Sequence, residues 1–356
     1  MHFDFSEDQL LFQRAMRDFL EKECTPARVR GLWETETGRS SELWKKLADL
    51  GVCGLRVPRA HEGMGLDEID FVLLLEEAGR AALAEPLIAT AAVGVPLIVG
   101  LGARELCDRW LKAVAVGEAI LAVGHPVSPF VSDAHVAQLL LLTHADELHA
   151  VPRDEARLTR QVANDPSRRI FSVEWNPSRA TRVATGTRSR DLLAAALERG
   201  ALGCAAQALG VTARLVEMAV AYARQREQFG KPIGSFQAVK HMLADVKVRL
   251  EYARPLVYRA AHSVARSGAR RGLHVSMAKA AACETAVRAG RVALQVHGAI
   301  GYTWEQDLHI WMRRAWSLEQ AWGLGSFHRK RVADVILEPG AGIGPGETFR
   351  ENAGAI

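Results

Sequence analysis

Cysteine is scarce: the five, at positions 24, 53, 107, 204 and 283, are scattered and odd in number. No C-x-x-C spacing exists, so neither a disulfide framework nor a zinc site is supported, and a reducing, cytoplasmic setting is the expectation. The opening MHFDFSEDQ is acidic and lacks the apolar segment of a secretory signal. The longest apolar stretch, 87–101, is interrupted by Thr90, Gly94, Pro96 and Gly100 and is too short for a bilayer span, so no membrane insertion is expected. An excess of one charge is missing as well. With 45 basic against 41 acidic residues the net charge is +4, too small a surplus for nucleic acid. The densest basic run, 266–271, reads as a solvated loop between helices. Internal repeats are absent, and so are the paired E-x-x-H motifs of a di-iron bundle.

What is present is helical periodicity. At 356 residues, 49% hydrophobic and 24% charged, the chain has the composition of a soluble protein with two or three buried cores. Ser6-Glu-Asp-Gln9 is a capping-box pattern opening a helix with Leu10, Phe12, Met16, Phe19 and Leu20. A second helix near 41–50 stops at Gly51, and Asp67 caps a third bearing Ile69, Val72, Leu73 and Glu76. Pro86 begins a buried apolar helix, and 104–116 forms another that ends at Gly117. The texture then changes to short β-like runs at 119–123, 136–142, 148–151, 170–175 and 181–184. Long helices return from Asp191, with small-residue faces such as Ala278, Ala282, Ala286, Ala289 and Ala293 that allow close packing. The expected fold is mainly α with a small β domain: an N-terminal helical domain at 1–118, a β domain at 119–190, a four-helix bundle at 191–337 and a glycine-rich, poorly ordered tail at 338–356.

One stretch organises the bundle: 222–242, YARQREQFGKPIGSFQAVKHM. Ala208, Val211, Leu215, Met218 and Tyr222 recur at three- and four-residue steps before it, as do Val239, Met242, Val246, Leu250, Ala253 and Val257 after it. The connector contains Gly230, Pro232 and Gly234, which break helices, and carries Arg224, Arg226 and Lys231. Such a cationic bend suits a pyrophosphate, because a guanidinium fork engages phosphate oxygens bidentately and free amides add donors. Taken without context, Arg226 and Phe229 read equally well as a surface ion-pair donor and a core anchor. Taken in the same way, His309 and Trp311 read as packing groups of an amphipathic helix.

Arg226, Phe229, Gly230 and Gln237 resemble the R-x-x-F-G…F-Q signature of the acyl-CoA dehydrogenase family. Downstream, Gln295-Val296-His297-Gly298-Ala299-Ile300-Gly301-Tyr302-Thr303 is similar to that family's Q-x-x-G-G-x-G-Y/F-T. Leu50-Gly-Val-Cys-Gly-Leu-Arg-Val-Pro58 followed by Glu62-Gly-Met-Gly65 resembles its N-terminal domain. The resemblance implies FAD bound by Arg226, Phe229, Gln237, Gln295, Val296, His297, Gly298, Ala299 and Gly301, on one subunit of an oligomer whose other subunit holds most of the cofactor. It implies α,β-dehydrogenation of an acyl-CoA thioester, with electrons passed to an electron-transfer flavoprotein or similar acceptor. Thr303-Trp-Glu-Gln-Asp307-Leu-His309-Ile-Trp-Met-Arg313-Arg314-Ala315 resembles a run of actinobacterial relatives, several of which act on thioesters of steroid side chains and some of which are α2β2 assemblies.

The sequence departs from the family pattern in ways that bear on chemistry. The second glycine of the downstream motif is Ala299, whose methyl group stands where backbone approaches the nucleotide. The β domain is short. Where the family has its T-E-P-x-A-G-S-D flavin loop, 124–133 reads GHPVSPFVSD, matching only at Pro126 and Ser132-Asp133. The family's base is a carboxylate whose pKa rises on desolvation as substrate binds. Its position falls on Trp322, before Gly323, and an indole cannot take a proton. Glu319 lies one turn upstream and reads as a solvated surface group. The alternative base position falls near Gly200, with Glu198 on the wrong side of the helix, and a position that is Glu in close relatives is Gln207. The expected reading is a subunit of a heteromeric FAD-dependent acyl-CoA dehydrogenase whose homologous partner supplies the missing loop and carboxylate. A silent subunit stabilising a partner enzyme and a self-sufficient homotetramer are the alternatives.

Overall fold

A computed structural model describes residues 4–342 and Gly344. Capping chemistry sets the first helices. The Ser6 hydroxyl accepts the Gln9 amide at 3.2 Å while the Gln9 side chain accepts the Ser6 amide at 2.9 Å, opening α1 (Glu7–Glu23). Thr25 caps the short α2 (Pro26–Trp33), and α3 (Ser41–Asp49) is followed by Gly51 at φ 85°. An Asp67–Asp70 capping box opens α4 (Glu68–Arg80). The segment after Pro86 is a π-helix, Ile88–Gly94, running directly into α5 (Val95–Leu101). It is followed by α6 (Arg104–Ala115), with Gly117 at φ 78°.

Seven short strands follow: β1 (Leu121–Val123), β2 (Val131–Ser132), β3 (Leu139–His144), β4 (Glu147–Pro152), β5 (Arg157–Gln161), β6 (Ile170–Glu174) and β7 (Arg182–Thr185). They form one sheet in the order β1-β3-β4-β7, with β1 and β3 parallel, and an antiparallel sheet in the order β2-β6-β5. Strand β3 is apolar on both faces for a reason. Leu139 and Leu141 pack into the helical core, whereas Leu140 and Leu142 join Val131, Val151 and Phe171 in a second, smaller core.

The rest is the helical bundle: α7 (Gly186–Gln225), then the hairpin strands β8 (Glu227–Gln228) and β9 (Lys231–Pro232), then α8 (Gln237–Ala265), α9 (Arg271–His297), α10 (Leu308–Gln320) and α11 (Gly325–Ile336). By length and composition α7 contains a window apolar enough to cross a membrane, and 61% of that window is buried. Helix α4 crosses α7 backbone to backbone. A Cβ added to Gly210 would lie 1.9 Å from the Glu76 carbonyl oxygen, and one added to Gly79 would lie 2.0 Å from that of Gln207. Glu76 extends the joint to α8, accepting from the Tyr258 hydroxyl at 2.8 Å and from Arg254. Most of the tail expected to be poorly ordered, 338–356, lies outside the described residues.

Candidate active site

The connector is a two-residue hairpin. Gln228 pairs with Lys231, and Phe229 and Gly230 sit at φ 53° and 75°, the two left-handed positions of a type I′ turn. That backbone lifts the Phe229 ring to 92% exposure, where it meets Phe236 edge-on at 6.1 Å. Phe229 is therefore not a core anchor. Lys231 stands over the Phe236 ring at 4.5 Å. Arg226 terminates α7, its amide donating to the Tyr222 carbonyl at 2.8 Å. Its guanidinium is exposed and pairs with none of the described residues. Gln237, also exposed, opens α8, whose N-terminus has no side-chain cap and so leaves first-turn amides open.

Because α7, α8 and α9 alternate in direction, the end of α9 returns to this corner. The Tyr222 ring stacks on His297 at 4.4 Å with planes 22° apart. His297 is buried, its Nδ1 lies 2.7 Å from the Ala293 carbonyl oxygen, and burial lowers its pKa. It braces the corner, and its ring is not available to a cofactor. The Val296 side chain is buried in the core as well. Both side chains are turned into the fold, so what these two expected cofactor positions can offer a ligand is main chain. Gly298 takes φ 63° with open space where a Cβ would stand, and Ala299 is exposed on the same turn. At Gly301 a Cβ would approach both His297 and Leu294 within 3.0 Å, so this glycine serves packing.

Gln295 lines a cleft of about 1500 Å³ that follows the outer face of α9. Ala280, Cys283, Val287, Arg291 and Gln295 recur along it, about 22 Å of helix. The far wall is the 127–130 loop, within the segment that stands where the family has its flavin loop. That loop is fixed locally: the Ser128 hydroxyl bonds the Phe130 amide and carbonyl, and His125 Nε2 lies 3.1 Å from the Leu193 carbonyl oxygen. The matching Asp133 is committed elsewhere, in a buried ion pair with Arg39 of the N-terminal domain. The cleft exceeds the usual small-molecule pocket of about 300–1,000 Å³. Of the corner residues Gln295 lines this cleft; outside its lining, the open Gly298 turn and the exposed Arg226 beside an uncapped helix end are donors that suit a pyrophosphate.

The two family base positions fill each other. A Cβ on Gly200 would lie 2.1 Å from the Trp322 ring, so the glycine makes room for the indole. Trp322 is held at φ 56°, a left-handed conformation rare for a bulky residue. Its carbonyl bonds His328 Nε2 at 2.9 Å, and the wholly buried Lys279 ammonium donates to the carbonyls of Leu318, Glu319 and Gly323 at 2.9, 3.1 and 3.3 Å. Burial pushes the His328 pKa down to about 4, so the ring is neutral near pH 7. Glu198 is buried in a 2.8 Å pair with Arg271. Glu319 is not merely solvated: it lines the cleft and accepts the first amide of α11, Gly325, at 3.2 Å. Gln207 lies with Trp322 on a separate cavity of about 100 Å³, which also holds Glu85. Sequence reasoning passed over Glu85, although a lone charge before Pro86 in the apolar run 81–84 and 87–89 was a usable signal.

Two family models match the chain, "Acyl-CoA dehydrogenase, N-terminal domain" over residues 6–118 and "Acyl-CoA dehydrogenase, C-terminal domain" over residues 190–337. The acyl-CoA dehydrogenase IpdE2 of Mycolicibacterium smegmatis is 29% identical over 325 residues, covering 89% of this chain and 95% of that one. Among solved structures, a chain of the ChsE4-ChsE5 complex from Mycobacterium tuberculosis superposes with a TM-score of 0.84 at 25% identity, covering 96% of this chain and 100% of that one. A chain of the Tcur3481-Tcur3483 steroid ACAD superposes with a TM-score of 0.83 at 27% identity, covering 93% and 98%.

Proposed function

The chain belongs to the acyl-CoA dehydrogenase family and is an acyl-CoA dehydrogenase, and from that premise we propose that it works with FAD as one subunit of a hetero-oligomer whose cofactor site is shared between chains. The observation that carries this reading is the corner. Arg226, the open α8 N-terminus and the Gly298 turn converge at one exposed end of the bundle through the Tyr222–His297 stack. Phe229 is presented there on a hairpin tip with little in its own chain to cover it. An exposed ring of that kind suits burial by a partner.

FAD, when bound, supplies the acceptor for the hydride leaving the β-carbon of an acyl-CoA thioester. Arg226 would hold the pyrophosphate with the α8 amides, the Gly298 turn would let main chain approach the nucleotide, and Gln295 lines the cleft. The departures in the 124–133 loop favour a homologous partner of different sequence over a homotetramer. The ChsE4-ChsE5 complex, two different chains, is a precedent for that arrangement. Likeness to a steroid ACAD favours a steroid-derived acyl group. An electron-transfer flavoprotein or a similar acceptor then reoxidises the enzyme in the cytoplasm, a location consistent with the free cysteines.

Purifying the chain alone and co-expressed with a candidate homologous subunit tests the proposal through bound flavin absorbance. Flavin only in the co-purified assembly supports the shared site. A yellow, active chain on its own supports a self-sufficient homomer. An active partner whose flavin content is unaffected by this chain establishes the silent scaffold.

A further inference from the structure

The cavity of about 100 Å³ lies where the N-terminal domain, the β unit and the bundle meet. One family base position, Trp322, lines it, and the other, Gly200, packs against the Trp322 indole. Arg168 and Ser317 line this cavity and the large cleft alike, so the two spaces adjoin there. On the same wall system stands Glu85, 4% exposed, between α4 and the π-helix. Its Oε1 accepts the Ser40 amide at 2.9 Å, while its Oε2 has no hydrogen-bond partner among the described residues. An unsatisfied buried carboxylate oxygen is expensive, about 1–3 kcal/mol or more, and is kept where it has a use.

We propose that Glu85 is the base that removes the α-proton of an acyl-CoA thioester bound in this chain, replacing the carboxylate absent at Trp322 and Gly200. The proposal rests on the dehydrogenase reading and locates in this chain a group otherwise expected from a partner. In the step, the Cα–H bond breaks, an O–H bond forms on Glu85 Oε2, and the electron pair remains with the thioester as its enolate. In the full reaction the β-hydrogen then leaves as hydride to the cofactor.

The surroundings suit the role. Burial is the largest influence and raises the Glu85 pKa to about 7; Arg39 and the Ser40 amide oppose it, and Asp133 adds to it. Arg314 is tied to Asp165 at 2.7 Å, Arg168 donates to the Ser317 carbonyl at 3.2 Å and Arg39 is paired with Asp133, so none of the three cations lining the cavity is hydrogen-bonded to Glu85, although the Arg39 charge acts on it. The nearby Cys24 and Cys53 thiols are buried, with pKa values raised far enough to keep them uncharged. A carboxyl poised near neutrality is matched to proton transfer at physiological pH.

The test uses a 3-thiaacyl-CoA, which has acidic α-protons and sulfur in place of the β-carbon, so no oxidant takes part. The full-length assembled protein is mixed with it in D2O, and α-hydrogen exchange is followed by mass spectrometry beside the analogue's Kd. Wild type should exchange, with a rate rising through about pH 7. Glu85→Gln should bind the analogue as before and lose exchange by about 100-fold or more, and Glu85→Asp should restore part of it. Wild-type exchange rates in Glu85→Gln would overturn the assignment, as would wild-type binding without exchange; neither outcome touches the dehydrogenase reading. Failure of wild type to bind the analogue at all would overturn that reading of the cavity and the proposal with it. Should Glu85→Gln not fold, the wild-type pH profile decides: an inflection near the ordinary carboxylate range refutes Glu85.

Discussion

Gly210→Ala is the most quantitative probe of how the helical domain is seated on the bundle. The added methyl would stand 1.9 Å from the Glu76 carbonyl oxygen and 2.5 Å from the Arg80 amide nitrogen, whereas ordinary contact begins at 3.4 Å. Both obstacles are backbone of α4, so the two helices must part by about 1.5 Å. Overpacking of this kind costs about 3 kcal/mol, at the upper end of the usual range because no side chain can swing away. Alanine's better helix propensity returns about 1 kcal/mol. The net loss of about 2 kcal/mol corresponds to a melting temperature lower by roughly 3 °C in a chain of this size. Gly31→Ala on α2 is the matched control, since nothing lies within 4 Å of its added methyl and the same substitution should stabilise. Circular dichroism melts of the three proteins read the result. A Gly210→Ala protein melting at or above wild type would refute the backbone-to-backbone crossing.

Lys279→Met leaves three carbonyls around the Trp322 turn without their charged donor, and should lower stability by about 3 kcal/mol in urea unfolding and shift tryptophan fluorescence. Acid should weaken the fold through His328. Its folded-state pKa of about 4 lies below the unfolded value of about 6.5, so the unfolded chain takes up the proton first; stability is full above pH 6.5 and drains as pH falls towards 4. Melting temperatures across that window should decline less steeply in His328→Asn than in wild type. Tyr222→Ala removes the stack on His297, about 1 kcal/mol of ring contact, and should weaken FAD retention by the assembly more than it lowers the melting temperature.

The parts of the fold legible in the sequence are those set locally. Ser6, Asp67, Gly51 and Gly117 carry cap and stop signals that need no tertiary partner, and β3 announces itself because both faces are buried. Helix α2 was passed over although Thr25-Pro26 is a good start, because its eight residues bury only Val29 fully. The strand β5 is mostly polar and exposed, and the π-helical turn after Pro86 has no periodicity that distinguishes it from an α-helix. The same division runs through the site. The hairpin residues Arg226 to Gly230 are contiguous and readable, whereas the contact of Tyr222 with His297 and the seating of Trp322 on Gly200 are products of packing. Asp133 shows how a matching letter misleads: its carboxylate is spent on Arg39, and among the described residues the buried carboxylate with an unsatisfied oxygen is Glu85, which no motif marks.

The shared FAD corner is tested most directly by flavin content in the assembled protein carrying Arg226→Ala. Arg226 is exposed and pairs with no described residue, so the melting temperature of the flavin-free protein should be unchanged. Loss of a charged phosphate contact of about 1.5–3 kcal/mol should weaken FAD binding roughly 10- to 100-fold, with Arg226→Lys intermediate. Wild-type flavin stoichiometry and affinity in Arg226→Ala would contradict the account.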